Sequence, residues 1–231
     1  MNLNVYYEDL KSLAREVRAD NGLTSPRVLR RDLRRIYKKL GIGIDLWPYK
    51  LRNLRGAFLN DEFGPTVMLA KGLPPDPMVF TMAHELKHFL RDRDLHLSYC
   101  DQSNENKPIE RGAEIFASEF LFPDADFIQH LADLGVQRGR CGPRDLVRLK
   151  CETKTTLSYA ALAIKGERLL FAQIGTLTGF KGWKKLEEEL YGVPFYKKRP
   201  AQGTRKQMKT KVPKLSGRFA RAQMGKRERL T

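Results

Sequence analysis

His84-Glu85-Leu86-Lys87-His88 sets two imidazoles one helical turn apart, with a carboxylate beside the first. On an α-helix that spacing lets both rings converge on one divalent ion, while the glutamate can serve as general base toward a water acidified there. The same five residues also arise by chance on solvated helices, so their surroundings decide. The stretch from Met78 to Asp92 predicts a helix over about 76–91. At about 100° per residue, Met78, Val79, Met82, Ala83, Leu86, Phe89 and Leu90 share one arc that must pack on a core. His84 and His88 fall on the opposite side, Glu85 on the flank between, and Lys87 off the histidine face.

A hydrolytic metal site needs a third protein ligand and an open position. A second helix, predicted over about 108–122, offers candidates. Ile109, Ala113, Phe116, Ala117, Phe120 and Leu121 form its buried arc, and Glu110 and Glu114 stack at the arc's edge. A carboxylate at such a border is costly unless it is paired or bound to a metal. Glu110 is the expected third ligand, and Glu114 the residue expected to hydrogen-bond a ligand histidine and fix its tautomer. One turn separates the two acids, so spacing alone leaves the reverse assignment open. Glu119 falls on the far side and reads as ordinary surface. A site of two histidines and a glutamate accepts zinc or manganese.

The elements that must hold these residues read as follows. Helices are predicted over 6–18 and 26–40, the second with Ser25 at its N-cap and Pro26 at its first position. Short strands follow over 42–47, 54–59 and 66–70, with a hairpin turn through Asn60 to Pro65. Leu73-Pro74-Pro75-Asp76-Pro77 breaks the chain before the histidine helix. Beyond the second site helix, a helix over 126–134 precedes a helix-turn-helix-like pair over 144–150 and 155–165. In that pair Thr153 to Thr156 would open the second helix, where phosphates are often contacted. A strand over 169–174 and a helix over 183–191 complete the reading. The fold class is α+β. Residues 1–135 are expected to form the domain that carries the histidine helix, with a three-stranded sheet, 136–196 a helical helix-turn-helix-like segment with a short strand, and 197–231 a disordered basic tail.

The chain has 231 residues, a formal charge of +16 and three cysteines without C-x-x-C spacing. That excludes a disulfide framework or a cysteine-based zinc knuckle. No apolar run approaches the roughly 20 residues of a membrane span, and the first ten residues are polar, which points to a cytoplasmic protein. The tail from Lys197 to Thr231 carries +12 of the charge. Its cations, among them Arg205, Lys206, Lys209, Lys211, Lys214, Arg218 and Arg221, are spread rather than clustered. Each can add salt-dependent affinity for phosphate without sequence specificity.

"VMLAKGLPPDPMVFTMAHELKHFL" and "ERGAEIFASEFLFP" together resemble the ImmA/IrrE family of zincin-like metallopeptidases. The order of elements, two helices and a small sheet before the two site helices, is similar as well. The resemblance implies His84 and His88 as zinc ligands, Glu85 as base, and Glu110 as the glutamate opening the second signature. Lys87 stands where the family usually has glycine, and Glu114 where it often has asparagine. It further implies a zinc-dependent endopeptidase that cleaves a helix-turn-helix repressor and so relieves repression. The alternative is a non-proteolytic DNA-binding or antitoxin-like regulator that keeps the fold.

Overall fold

In the computed structural model, residues 2–48, 55–93, 97–99 and 108–192 are described. The basic tail, its expected disorder and its cations Arg205 to Arg221 lie outside the described residues. Met1–Gly192 forms one compact unit.

Helix α1 (Leu3–Asp20) opens with the Asn2 side chain accepting from the Asn4 N–H. Helix α2 is Arg30–Lys39 and not 26–40. The Asp32 carboxylate accepts from the Leu29 N–H at 2.9 Å and fixes the start there, while Ser25 Oγ accepts from the Arg27 N–H in a local turn. Strands β1 (Gly43–Trp47), β2 (Gly56–Asp61) and β3 (Gly64–Ala70) match the three expected. A short fourth, β4 (Leu97–Tyr99), was not legible in the alternation. The sheet order is β1-β3-β2-β4. β1 runs parallel to β3, and β2 runs antiparallel to both its neighbours.

Helix α3 (Pro75–Arg91) lies on this sheet, with Phe89 edge-on to Phe58 of β2 at 6.1 Å between ring centres. Two glycines permit the close layers. A Cβ at Gly56 would stand 2.5 Å from Thr81 Cγ2 and 2.8 Å from Glu85 Oε1. A Cβ at Gly112 would stand 2.7 Å from Leu10 Cδ1, so helix α4 (Pro108–Leu121) approaches α1 only because that atom is missing. Removing Cβ costs helix stability, by roughly 0.5–1 kcal/mol relative to alanine, which the tighter packing must offset. Tyr37 of α2, fully buried, donates to the Met82 carbonyl at 2.6 Å and ties α2 to the middle of α3.

Helices α5 (Asp124–Asp133), α6 (Pro143–Thr153), α7 (Tyr159–Arg168) and α8 (Trp183–Tyr191) follow. Leu146, Val147, Leu149, Leu157, Leu162 and Ala163 join the same hydrophobic core as α3 and α4. The strand expected over 169–174 does not form. Leu170 adopts φ +62°, and Phe171 N–H returns to the Gly166 carbonyl, so the segment closes α7 as turns.

Candidate metal centre

Helix α3 is enclosed on more than its apolar arc. Glu85, Lys87 and His88 are all fully buried: Glu85 packs against Gly56 of β2, His88 faces Glu110 of α4, and Lys87 reaches Ile109 of α4 and the Tyr6 ring of α1. Where those layers meet, three donor atoms converge. His84 Nε2 lies 3.3 Å from His88 Nε2 and 3.2 Å from Glu110 Oε2, and His88 Nε2 lies 3.7 Å from Glu110 Oε1. The set fits within 4.8 Å. Donors about 2.0–2.1 Å from a tetrahedral ion stand roughly 3.3 Å from one another. The two contacts of His84 are close to that edge length and the third is longer, so the two imidazoles and the Glu110 carboxylate form a group that could hold a divalent ion.

The other nitrogen of His88 is held as well. Nδ1 faces Asp92 Oδ2 at 2.7 Å, an i,i+4 pair at the end of α3. A carboxylate there fixes the tautomer that presents Nε2 inward. Burial pushes the Asp92 carboxyl up, but hydrogen bonds from His88 and Lys87, with the charge of Lys87, more than reverse this and hold it below the usual carboxylate range. Sequence reasoning missed Asp92. The spacing from His88 was the available signal, since residues four apart share a helix face.

Glu114 is not where it was expected. Its Oε2 accepts from Arg111 at 2.8 Å on the half-exposed side of α4, so a local i,i+3 pair takes it away from the histidines. The carboxylate that stands against a histidine nitrogen is Asp92, not Glu114. Glu85 packs against Gly56 of β2, and its charge, after burial itself, helps push the Tyr37 hydroxyl pKa well up.

Glu119, expected at the surface, is 1% exposed. Its Oε1 accepts from Arg15 at 2.9 Å, and its Oε2 from the Asp124 N–H at 3.0 Å and faces Lys165 at 3.5 Å. Asp124 in turn pairs with Lys165, Arg168 and Lys11. This is an ion network with its own cations, made by α1, α5 and α7 closing over the far side of α4.

A groove of about 570 Å³ opens one helical turn from the cluster. Phe80 lines it four residues before His84, and Glu114 four residues after Glu110. Tyr7 of α1, Ile115 of α4 and Ile164 of α7 line it further along. The exposed face of α7 is therefore a wall of this groove. Of Thr153 to Thr156, foreseen as phosphate contacts, Thr155 and Thr156 are buried, because the buried Lys150 ammonium donates to the carbonyls of Thr155 and Leu157 and draws the turn inward, while Lys154 is exposed and Thr153 half-buried.

Residues 38–164 match the family model of peptidase M78, the IrrE N-terminal-like domain, and the chain belongs to that family. His84, Glu85, His88, Asp92 and Glu110 all fall inside the matched span. Membership makes this a metallopeptidase-type domain. No curated protein matches the chain. Among the described residues, no helix is long and apolar enough to cross a membrane.

Proposed function

We propose that this protein is a zinc-dependent endopeptidase of the cytoplasm that cleaves a helix-turn-helix repressor. The observation that carries the reading is the convergence of His84, His88 and Glu110 within 4.8 Å of one another, with a second carboxylate, Glu85, next to the first histidine. A divalent ion there supplies Lewis acidity, making a water acidic near neutrality and a peptide carbonyl electrophilic. Manganese suits the same donors, and zinc is the ion expected. Glu85 takes the proton of the attacking water on its carboxylate and returns it to the leaving amine. Asp92 keeps the proton on His88 Nδ1 so that Nε2 stays a donor. The groove beside the cluster suits a polymer lying across α3 and α4.

The +12 tail supports contact with DNA near the bound repressor, through phosphate charge alone.

The test pairs the purified full chain with repressors encoded beside it, wild type against Glu85→Gln. Cleavage by wild type and not by E85Q, with equal zinc content, supports the reading. A repressor bound but left intact by zinc-loaded wild type contradicts it. Truncation after Tyr196 should weaken duplex binding at low salt while leaving cleavage of free repressor intact. Unchanged duplex affinity would remove the tail from the account.

A further inference from the structure

Lys87 is fully buried, yet it is no ligand and sits between the two histidines in sequence. A lysine without any exposure keeps its charge only where partners meet the ammonium directly. Two such partners are present. Nζ donates to Asp92 Oδ2 at 2.6 Å and to the carbonyl of Ile109 at 3.0 Å, and it lies 5.9 Å from the centre of the Tyr6 ring. The first partner is the same oxygen atom that receives His88 Nδ1 at 2.7 Å. The second belongs to the residue immediately before Glu110. One ammonium thus ties the support of one ligand to the backbone of another, across α3 and α4.

From this geometry we propose that Lys87 is a positioning residue of the metal centre. It rests on the metallopeptidase reading and deepens it. Lys87 anchors Asp92 so that His88 keeps its orientation, and it pins the first turn of α4 so that Glu110 meets the two histidines. Without it, the Asp92 carboxylate is left in a nearly buried site with one donor fewer, and the favourable response is to turn toward water. His88 Nδ1 then loses its acceptor, and the Ile109 carbonyl loses its tie to α3.

The sign of the effect separates this role from others. Electrostatics alone gives the opposite outcome, since removing a cation near a divalent site strengthens metal binding. A role in packing alone lowers the thermal midpoint and leaves the metal affinity of the folded protein unchanged. Positioning weakens metal binding. Loss of a supporting group of this kind typically costs about 10–100-fold in affinity.

The experiment uses the full chain stripped of metal, with Zn²⁺ affinity read by competition with a chromophoric chelator and geometry by the visible spectrum of the Co²⁺ form. Lys87→Met is expected to raise the Zn²⁺ Kd about 10–100-fold and to alter the Co²⁺ spectrum, with helical content retained. Lys87→Gln, which keeps an N–H for Ile109 but not the charge, is expected to lose less in the same direction. Should K87M not fold, K87Q carries the test, and wild-type affinity in K87Q overturns the proposal. A folded K87M that binds Zn²⁺ within twofold of wild type, or more tightly, overturns it too and leaves the metal site standing. A wild type that binds no Zn²⁺ overturns both.

Discussion

Helix α4 carries two shielded carboxylates nine residues apart, Glu119 buried and Glu110 partly so, and they are solved in opposite ways. Glu119 meets the fixed charges of Arg15 and Lys165, and Asp124 beside it meets Lys165, Arg168 and Lys11. Glu110 faces the imidazoles of His84 and His88. The first cluster is complete with its own cations and holds α1, α4 and α7 together. The second brings nitrogen lone pairs and a carboxylate to one point, which is the donor set a metal ion needs. A buried acid alone therefore says little about function. The charge of what surrounds it does.

The comparison can be broken first at the chemistry. Glu85→Gln should cost cleavage about 10²–10⁴-fold, the usual range for a general base, with zinc content unchanged. Loss of zinc in E85Q would instead make Glu85 part of the binding set.

Next comes stability. Glu119→Gln leaves Lys165, 2% exposed at its side chain, with Asp124 as its remaining acid, and weakening a buried polar network in this way costs about 1–3 kcal/mol. Urea unfolding should show that loss, while Zn²⁺ affinity stays within twofold of wild type. Equal stability of E119Q and wild type would remove the contrast between the clusters.

Asp92→Asn sharpens the other side. It should weaken Zn²⁺ binding by about 10–100-fold, with a smaller effect on unfolding than E119Q, checked by the same chelator competition.

The smallest effect is in acid. Burial pushes the Asp124 carboxyl up, but the hydrogen bond and charge of Arg168 and Lys165 overcome it and leave the carboxyl far below its ordinary value. An acid with a depressed folded pKa binds protons in the unfolded chain first, so stability rises with pH across that window. Its contribution is fully present above the unfolded value, about 3.9, and fades as pH falls toward the folded one. The stability gap between wild type and Asp124→Asn should therefore be widest above pH 5 and shrink by pH 2.5. A gap independent of pH would mean Asp124 is not held ionised by those cations.

The candidate ligands were legible because they follow helical period and residue type. His84, His88 and Glu110 need only the turn of a helix and the rule that a border acid requires a partner. Residues decided by a third layer were not legible. Lys87 and Glu119 fall outside the apolar arcs of their helices, yet both are buried, because α1 covers both, with α4 over the first and α7 over the second. A helical wheel shows which face is apolar but not which other face a neighbour will cover. Glu114 fails for the reverse reason: Arg111, three residues before it, offers a local partner. The strand expected over 169–174 has an apolar run of strand length but ends a helix, where the turn at Leu170 prevails over side-chain preference.

Zinc titration of the metal-stripped full chain, wild type beside Glu110→Gln and Glu119→Gln, tests the central contrast most directly. One ion per chain in wild type and E119Q, with affinity lost in E110Q, is the predicted result. Stoichiometric binding that survives E110Q, or no binding by wild type, would contradict it.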